Sequence, residues 1–529
     1  MTWMKLAAIT LVTLIVASAH AATYHVNGST APKVAGSMKA KIVGGQMVLV
    51  QPRYYTPLPP PPGDDSNPGT YDAPFRTITK ASSVEAPGDQ ILIYAHEYVE
   101  NVTNVAPSVT YQIASGVPEA TKWSSLRVAT NGVLLDGRSA AVITGSNLVS
   151  STVHGGLNGS ITFGPGASNV TIRNLAVNCK VQPPGTGIFN PCISVQVPNS
   201  NYSLIKDITL SGIVATNTGY HAMVLKGDRF LVTNCYFSST QGWDAIRALT
   251  INSKYSTLTF SNWANPSNNP NHTDEIQAFS DNGEYSTNNV FERIFSIDGE
   301  NCKIGNWADN TNFHNVHNNY YVNSIWIRTE GLCDISAPGI SFYNCTLFYT
   351  GQDGGQPLSW TVVNDEAHGD GSGGRVYNCI FYACGLNPGT NGFNANGLGW
   401  SAPTNGQPGS VSGTSAGGFF SDWNWSIGFS NAAKRAYASA PLGFRTPLYN
   451  PPQTNDLNGI NGGDPKFNNS VSYSNTWPGG GAIYLPSQLA LQAGSAGLNA
   501  GTNLSTITTV DFFGNPRPGS GAWTIGAIQ

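Results

Sequence analysis

Charge is scarce in this sequence. Only 11% of its 529 residues are Asp, Glu, Lys or Arg, and 26 basic against 30 acidic side chains give a formal net charge of −4. No block of lysines and arginines occurs, which removes the electrostatic footprint by which nucleic acid is gripped. No C-x-x-C pair occurs among the eight cysteines, all of which lie after residue 170, so a thiolate zinc site is excluded. Apart from the N-terminus, no apolar run approaches the roughly 18 residues that a membrane-spanning helix needs. The N-terminal run, Leu6 to Val16, is itself too short. It follows Lys5 and leads to the small-x-small pattern Ala19-His20-Ala21. That pattern predicts a signal peptide over 1–21 and an exported protein, extracellular or periplasmic, in a compartment that permits disulfides.

What is abundant points to β structure. There are 59 glycines, and Val, Ile, Thr, Phe and Tyr recur in short runs between Gly, Asn and Pro, the pattern of many short strands. Residues 22–62, ending in YYTPLPPPP, read as an irregular Pro-rich leader. Residues 63–400 carry the regular part, and 401–529 a Gly/Ser/Asn-rich excursion followed by a closing segment.

The regular part repeats. The template apolar-x-Asn-x-x-aromatic fits FLVTNCYF, NVFERIF, NVHNNYY, SFYNCTLF and RVYNCIFY, placing Asn234, Glu292, Asn318, Asn344 and Asn378 in one column that Asn174 can join. Spacings of 26, 26 and 34 residues follow Glu292, and the wider gap before it holds an extra turn at STLTFSN. Short strands at this period, with Asn at a fixed corner, predict an all-β fold: a right-handed parallel β-helix, a solenoid, with an irregular C-terminal segment. Asn suits the corner because it tolerates left-handed geometry and its amide can bond along the stack. Cys345 and Cys379, each after a corner Asn, are expected to stack as small interior residues.

The stretch GDDSNPGTYDAPFRTITKASSVEAPGDQILIYAHEYVE, together with DPKF, SAGLNAG and DFFGNPRPGSGAWTIGAIQ near the other end, resembles secreted parallel β-helix proteins of the pectate-lyase-like superfamily. The resemblance implies an N-terminal cap, a first coil and a C-terminal closure. It is specific for the fold and says little about the reaction, since lyases, hydrolases and adhesins share it.

A second column lies upstream of the corner: YHAMV, WDAIR, TDEIQ, NCKIG and SIWIR. With Ile246, Ile276, Ile304 and Ile327 inward, alternation predicts Arg247, Glu275, Gln277, Lys303, Trp326 and Arg328 outward, with Asp244 and Asp274 at the strand entrance. Such a strip suits a polysaccharide, with Trp326 and Trp307 to stack on sugar rings and Gln277 and His272 to bind or tune. The plain alternative is a solvated face with cross-strand ion pairs.

Two reactions suit the strip. For β-elimination on a uronate glycan, the resemblance implies acids on successive coils that hold calcium, here Asp244, Asp274 and Glu275, and a base, here Lys303 flanked by Arg247 and Arg328. For glycoside hydrolysis, Asp244 and Asp274 form the carboxylate pair, a distant likeness to polygalacturonase-type hydrolases. The lyase is favoured, because a hydrolase has less need of so much positive charge beside its acids. A non-catalytic carbohydrate-binding surface protein or adhesin is the third possibility. The protein is expected to be a monomer.

Overall fold

The computed structural model describes residues 21–29, 39–43, 46–50, 60–94, 96–114, 121–143, 160–178, 191–195, 204–218, 221–240, 244–261, 273–280, 284–297, 302–308, 315–329, 333–335, 337, 339–348, 359–360, 374–382, 399–400, 420–422, 425–427, 460–461, 465–468 and 485–529, some of them by their backbone alone. Nearly every strand joins one continuous sheet whose neighbours run parallel, strand on strand. One ladder climbs from Thr23–Val26 through Gln90–Ile93, Thr110–Ile113 and later coils to Arg375–Tyr377 and Phe420–Asp422. This is a parallel β-helix, as the repeat predicts.

Two left-handed corners recur on the coils. Asn174, Asn234, Thr257, Arg293, Asn323, Asn344 and Asn378 occupy one, all at φ between 49° and 57°. Asn252, Asn288, Asn318 and Gly339 occupy the other. The sequence template therefore ran two corners together: Glu292 precedes the corner residue Arg293, and Asn318 belongs to the second corner. The predicted amide ladder is present, with Asn378 Nδ2 donating to Asn344 Oδ1 at 3.0 Å. Gly339 closes the second column because a Cβ there would sit 2.1 Å from Asn318 Oδ1.

The lumen is filled by in-register stacking. Tyr255, Phe291, Tyr321 and Phe342 lie face to face with centroids 4.7 to 4.8 Å apart, the spacing of the strands that carry them. Each ring removes roughly 150–250 Å² from water, on the order of 5 kcal/mol before chain entropy is counted. Cys345 and Cys379 are buried free thiols on successive coils, as expected, and Cys192 is in a disulfide.

The predicted boundaries shift. The leader is not wholly irregular: Thr23–Val26 is the first strand of the solenoid, and Lys39–Val43 with Gln46–Val50 forms an antiparallel hairpin. A short helix follows the sequence Pro74-Phe75-Arg76-Thr77. Thr77 caps the helix Ile78–Val84, and the Glu100 carboxylate accepts from the amides of Ile78 and Thr79. The coils also outrun residue 400, since Phe420–Asp422, Trp425–Ile427 and Ile460–Asn461 extend the ladders. Residues 485–529 lie along the wall. Leu489, Ile525, Ala527 and Ile528, with Phe467, cover an outward apolar stripe of Ile297, Ile325, Ile327, Phe348 and Tyr382. The expected signal peptide lies outside the described residues except for Ala21, and no helix among the described residues is long and apolar enough to cross a membrane.

Candidate functional site

One ladder of the solenoid carries the predicted strip. Its register stacks Ile161, Ile193, Met223, Ile246 and Ile276 inward, as expected for Ile246 and Ile276, and the backbone of Ile304 pairs next in the column. The next partner in that column is Cys333, not Ile327. Arg247 pairs with Gln277, and these two take the outward parity.

Just upstream, three coils place His221, Asp244 and Asp274 one above another, through hydrogen bonds from Cys192 N to His221 O, Ala222 N to Asp244 O and Ala245 N to Asp274 O. His221 Nδ1 lies 3.2 Å from Asp244 Oδ2. Asp244 Oδ1 accepts from the Asp274 amide at 3.0 Å, and Gln277 Nε2 donates to Asp274 Oδ2 at 3.2 Å. Further along the same face, Lys226 Nζ stands 2.8 Å from Glu284 Oε1 and Arg247 Nη2 stands 3.7 Å from Glu284 Oε2. Two cations on adjacent coils thus converge on one carboxylate. The aspartates are buried and the Lys226 and Glu284 side chains only about a tenth exposed, so these charges act where water screens them little.

The structure therefore brings together Asp244, Arg247, Asp274 and Gln277. It separates three others. Glu275 points into the lumen at the position that Ala245 takes on the coil below, and against the next coil the register slips by one between Asp274 and Ile276, leaving Glu275 as the extra residue of a β-bulge. Its carboxylate accepts from Ser296 Oγ and from Trp326 Nε1, the latter at 3.2 Å. Burial pushes its pKa up to about 7 against the pull of those two donors.

Trp326 is likewise inside and only 3% exposed, on a different ladder, where it pairs with Ser296 and Leu347. Its flanking Ile325 and Ile327 face outward under the C-terminal segment, so the predicted parity was inverted. Arg328 sits at the left-handed corner after that strand and is buried, away from the strip. The backbone of Lys303 pairs with Asp274 and that of Trp307 with Phe279, but their side chains, like all of His272, lie outside the described residues.

Sequence reasoning missed His221, Lys226 and Glu284. His221 stands in the quoted row YHAMV at the position Asp and Asp take on the next two coils, and Lys226 lies two residues beyond the end of that row. Glu284 lies beyond the strand Thr273–Ser280 and had no positional signal.

The proposed calcium set does not fit. Glu275 is turned into the lumen, while Asp244 and Asp274 are engaged by the Asp274 amide, His221 and Gln277. No group of three or more His, Cys, Asp or Glu arranged to hold a metal ion occurs among the described residues.

Residues 62–269 match the model of a family described as Protein of unknown function (DUF1565). No curated protein matches the chain. Among solved structures, a complex of XylC with xylose is similar at 11% identity and TM-score 0.45, over 96% of this chain and 98% of that one. Pectate lyase Pel9A is similar at 14% identity and TM-score 0.35, over 89% and 95%. The PL6 family alginate lyase AlyGC is similar at 11% identity and TM-score 0.37, over 66% of this chain and 42% of that one. These likenesses are too distant to bear on the reaction.

Proposed function

We propose that this is an exported lyase that cleaves a uronate-containing polysaccharide by β-elimination at the face formed by His221, Lys226, Asp244, Arg247 and Asp274. One observation carries the reading: Lys226 and Arg247 converge on the Glu284 carboxylate. A uronate carboxylate has the same chemistry, and elimination requires that this group be neutralised while the proton beside it is removed. The incoming sugar acid takes the place Glu284 fills.

Arg247, charged at every working pH, then pairs with the sugar carboxylate. His221, oriented by Asp244, takes the proton from the carbon bearing that carboxylate, as imidazole is suited to do near neutrality. The electron pair left behind forms a carbon–carbon double bond as the bond to the glycosidic oxygen breaks, and the Lys226 ammonium gives that oxygen a proton. Asp274, held by Gln277, fixes the wall of the site.

A second reading, glycoside hydrolysis, is favoured by the stacking of Asp244 and Asp274 one coil apart. Polyuronates and neutral glycans offered to the purified protein separate the two. A lyase leaves an unsaturated uronate that absorbs in the ultraviolet, and Arg247→Ala or His221→Ala lowers turnover about 10²-fold or more with the fold intact. New reducing ends without ultraviolet absorbance, with Asp274→Ala inactive and Arg247→Ala near normal, assign the hydrolase. Binding without any product assigns the adhesin.

A further inference from the structure

Glu275 stands in a column where the preceding coils carry Ser160, Cys192, Ala222 and Ala245, all small and buried. On the opposite wall the inward column reads Phe237, Phe260, Ser296, Trp326, Leu347 and Phe381, so serine interrupts a run of large residues where the Glu275 side chain arrives. Two substitutions compensate one another across the lumen. A small residue on the site wall has become glutamate, and a bulky residue on the far wall has become serine.

An Ala and Phe pair, as on the neighbouring coils, would fill this space without burying a carboxyl, and buried ionisable groups are poor investments for stability alone. Glu275 is also the bulge residue itself, the extra position between Asp274 and Ile276. Bulges re-aim the side chains beside them.

We infer that Glu275 is a positioning residue: from inside the solenoid it braces the bulge that aims Asp274 and Gln277 into the outer site. Ser296 and Trp326 are its anchors, and Tyr321 and Phe342 hold the Trp326 ring edge-on at 6.3 and 6.2 Å. This rests on the lyase reading for its activity assay but not for its structural one.

The test is the double variant Glu275→Ala with Ser296→Phe, which restores the packing of adjacent coils, set against Glu275→Gln, which keeps both hydrogen-bond partners. The double variant folds with a Tm no lower than that of the native protein yet loses on the order of 10²-fold in turnover, the cost of a site displaced by about 1 Å, whereas Glu275→Gln stays within a few-fold. Ser296→Ala, which removes one anchor without adding bulk, gives a smaller loss of the same kind should the double variant fail to fold. Amide exchange reads the bulge independently of any substrate: the Asp274 amide, bonded to Asp244, exchanges faster in the double variant and not in Glu275→Gln. Full activity in the double variant, a Glu275→Gln as inactive as the double variant, or unchanged exchange at Asp274 overturns the inference. A native protein inactive on every polyuronate sinks the lyase reading alone and leaves the exchange result to decide.

Discussion

Glu275→Gln tests the interior of the solenoid through the pH dependence of stability. In the folded protein the Glu275 carboxyl is buried between Ser296 and Trp326 and its pKa rises from an ordinary 4.5 to about 7. The folded state therefore holds this proton more tightly than the unfolded chain. An acid shifted upward adds stability that is complete below its unfolded pKa and is lost as pH climbs through the folded one. A rise from 4.5 to about 7 corresponds to about 3 kcal/mol, most of which disappears between pH 5 and pH 8. Its two donors among the described residues are a hydroxyl and an indole N–H, neither of them a cation.

Glutamine has the shape of the protonated acid and cannot ionise. Its carbonyl accepts from Trp326 Nε1, and its amide donates to Ser296 once that hydroxyl turns. The variant should match the native protein below about pH 4.5 and exceed it by about 3 kcal/mol near pH 8. Urea titrations of both proteins across this range measure the difference, in which every group the two proteins share cancels. Parallel stability curves would refute the reasoning, for they would mean that Glu275 is either solvated or never ionised.

The fold was legible because its physics is periodic. Inward isoleucines, corner asparagines and free stacked cysteines each repeat coil after coil, and a repeated signal survives small errors in any one row. The site was legible only where that period held. Arg247 and Gln277 take the outward parity that alternation predicts, and Asp244 and Asp274 stack at the strand entrance, buried rather than open to solvent. Glu275 does not take the predicted parity, because the chain turns inward at the strand entrance and buries two consecutive residues there, as it does with Ala245 and Ile246 one coil below, so alternation fails. Trp326 was misread for a different reason: Ile-Trp-Ile looks like an inward-outward-inward strand, but the C-terminal segment supplies a second apolar environment outside the wall, so both isoleucines can face outward and remain buried. Hydrophobic alternation identifies two faces and cannot say which of two covered faces is the lumen. Glu284 joins Lys226 and Arg247 from beyond the strand, and no period reaches it.

Two further substitutions probe the walls. Trp326→Phe keeps an aromatic ring but deletes the donor to Glu275, so its cost should grow with pH, by about 1–3 kcal/mol once the carboxylate is ionised; a cost that does not vary with pH would mean that only packing was lost. Arg517→Met tests whether the C-terminal segment is an obligatory part of the wall. The Arg517 guanidinium is 5% exposed and donates to the carbonyls of Val510, Thr524, Gly526 and Ala527 and to Asn323 Oδ1 on the solenoid, with its carbon 5.1 Å from the Trp523 ring centre. Methionine fills much of the volume and satisfies none of those acceptors, and each carbonyl left bare costs roughly 1–3 kcal/mol unless water enters. The segment should loosen before the coils do, because the stripe it covers is stabilised only by contact with it, whereas the coils retain their ladders. Hydrogen exchange would then accelerate across residues 508–529 and a hydrophobic dye would bind the uncovered stripe at Ile297, Ile327 and Phe348. Arg517→Lys should not rescue, since an ammonium cannot span acceptors arranged for a planar fork. Unchanged exchange in Arg517→Met would show that the apolar stripe alone holds the segment and that the guanidinium network contributes little.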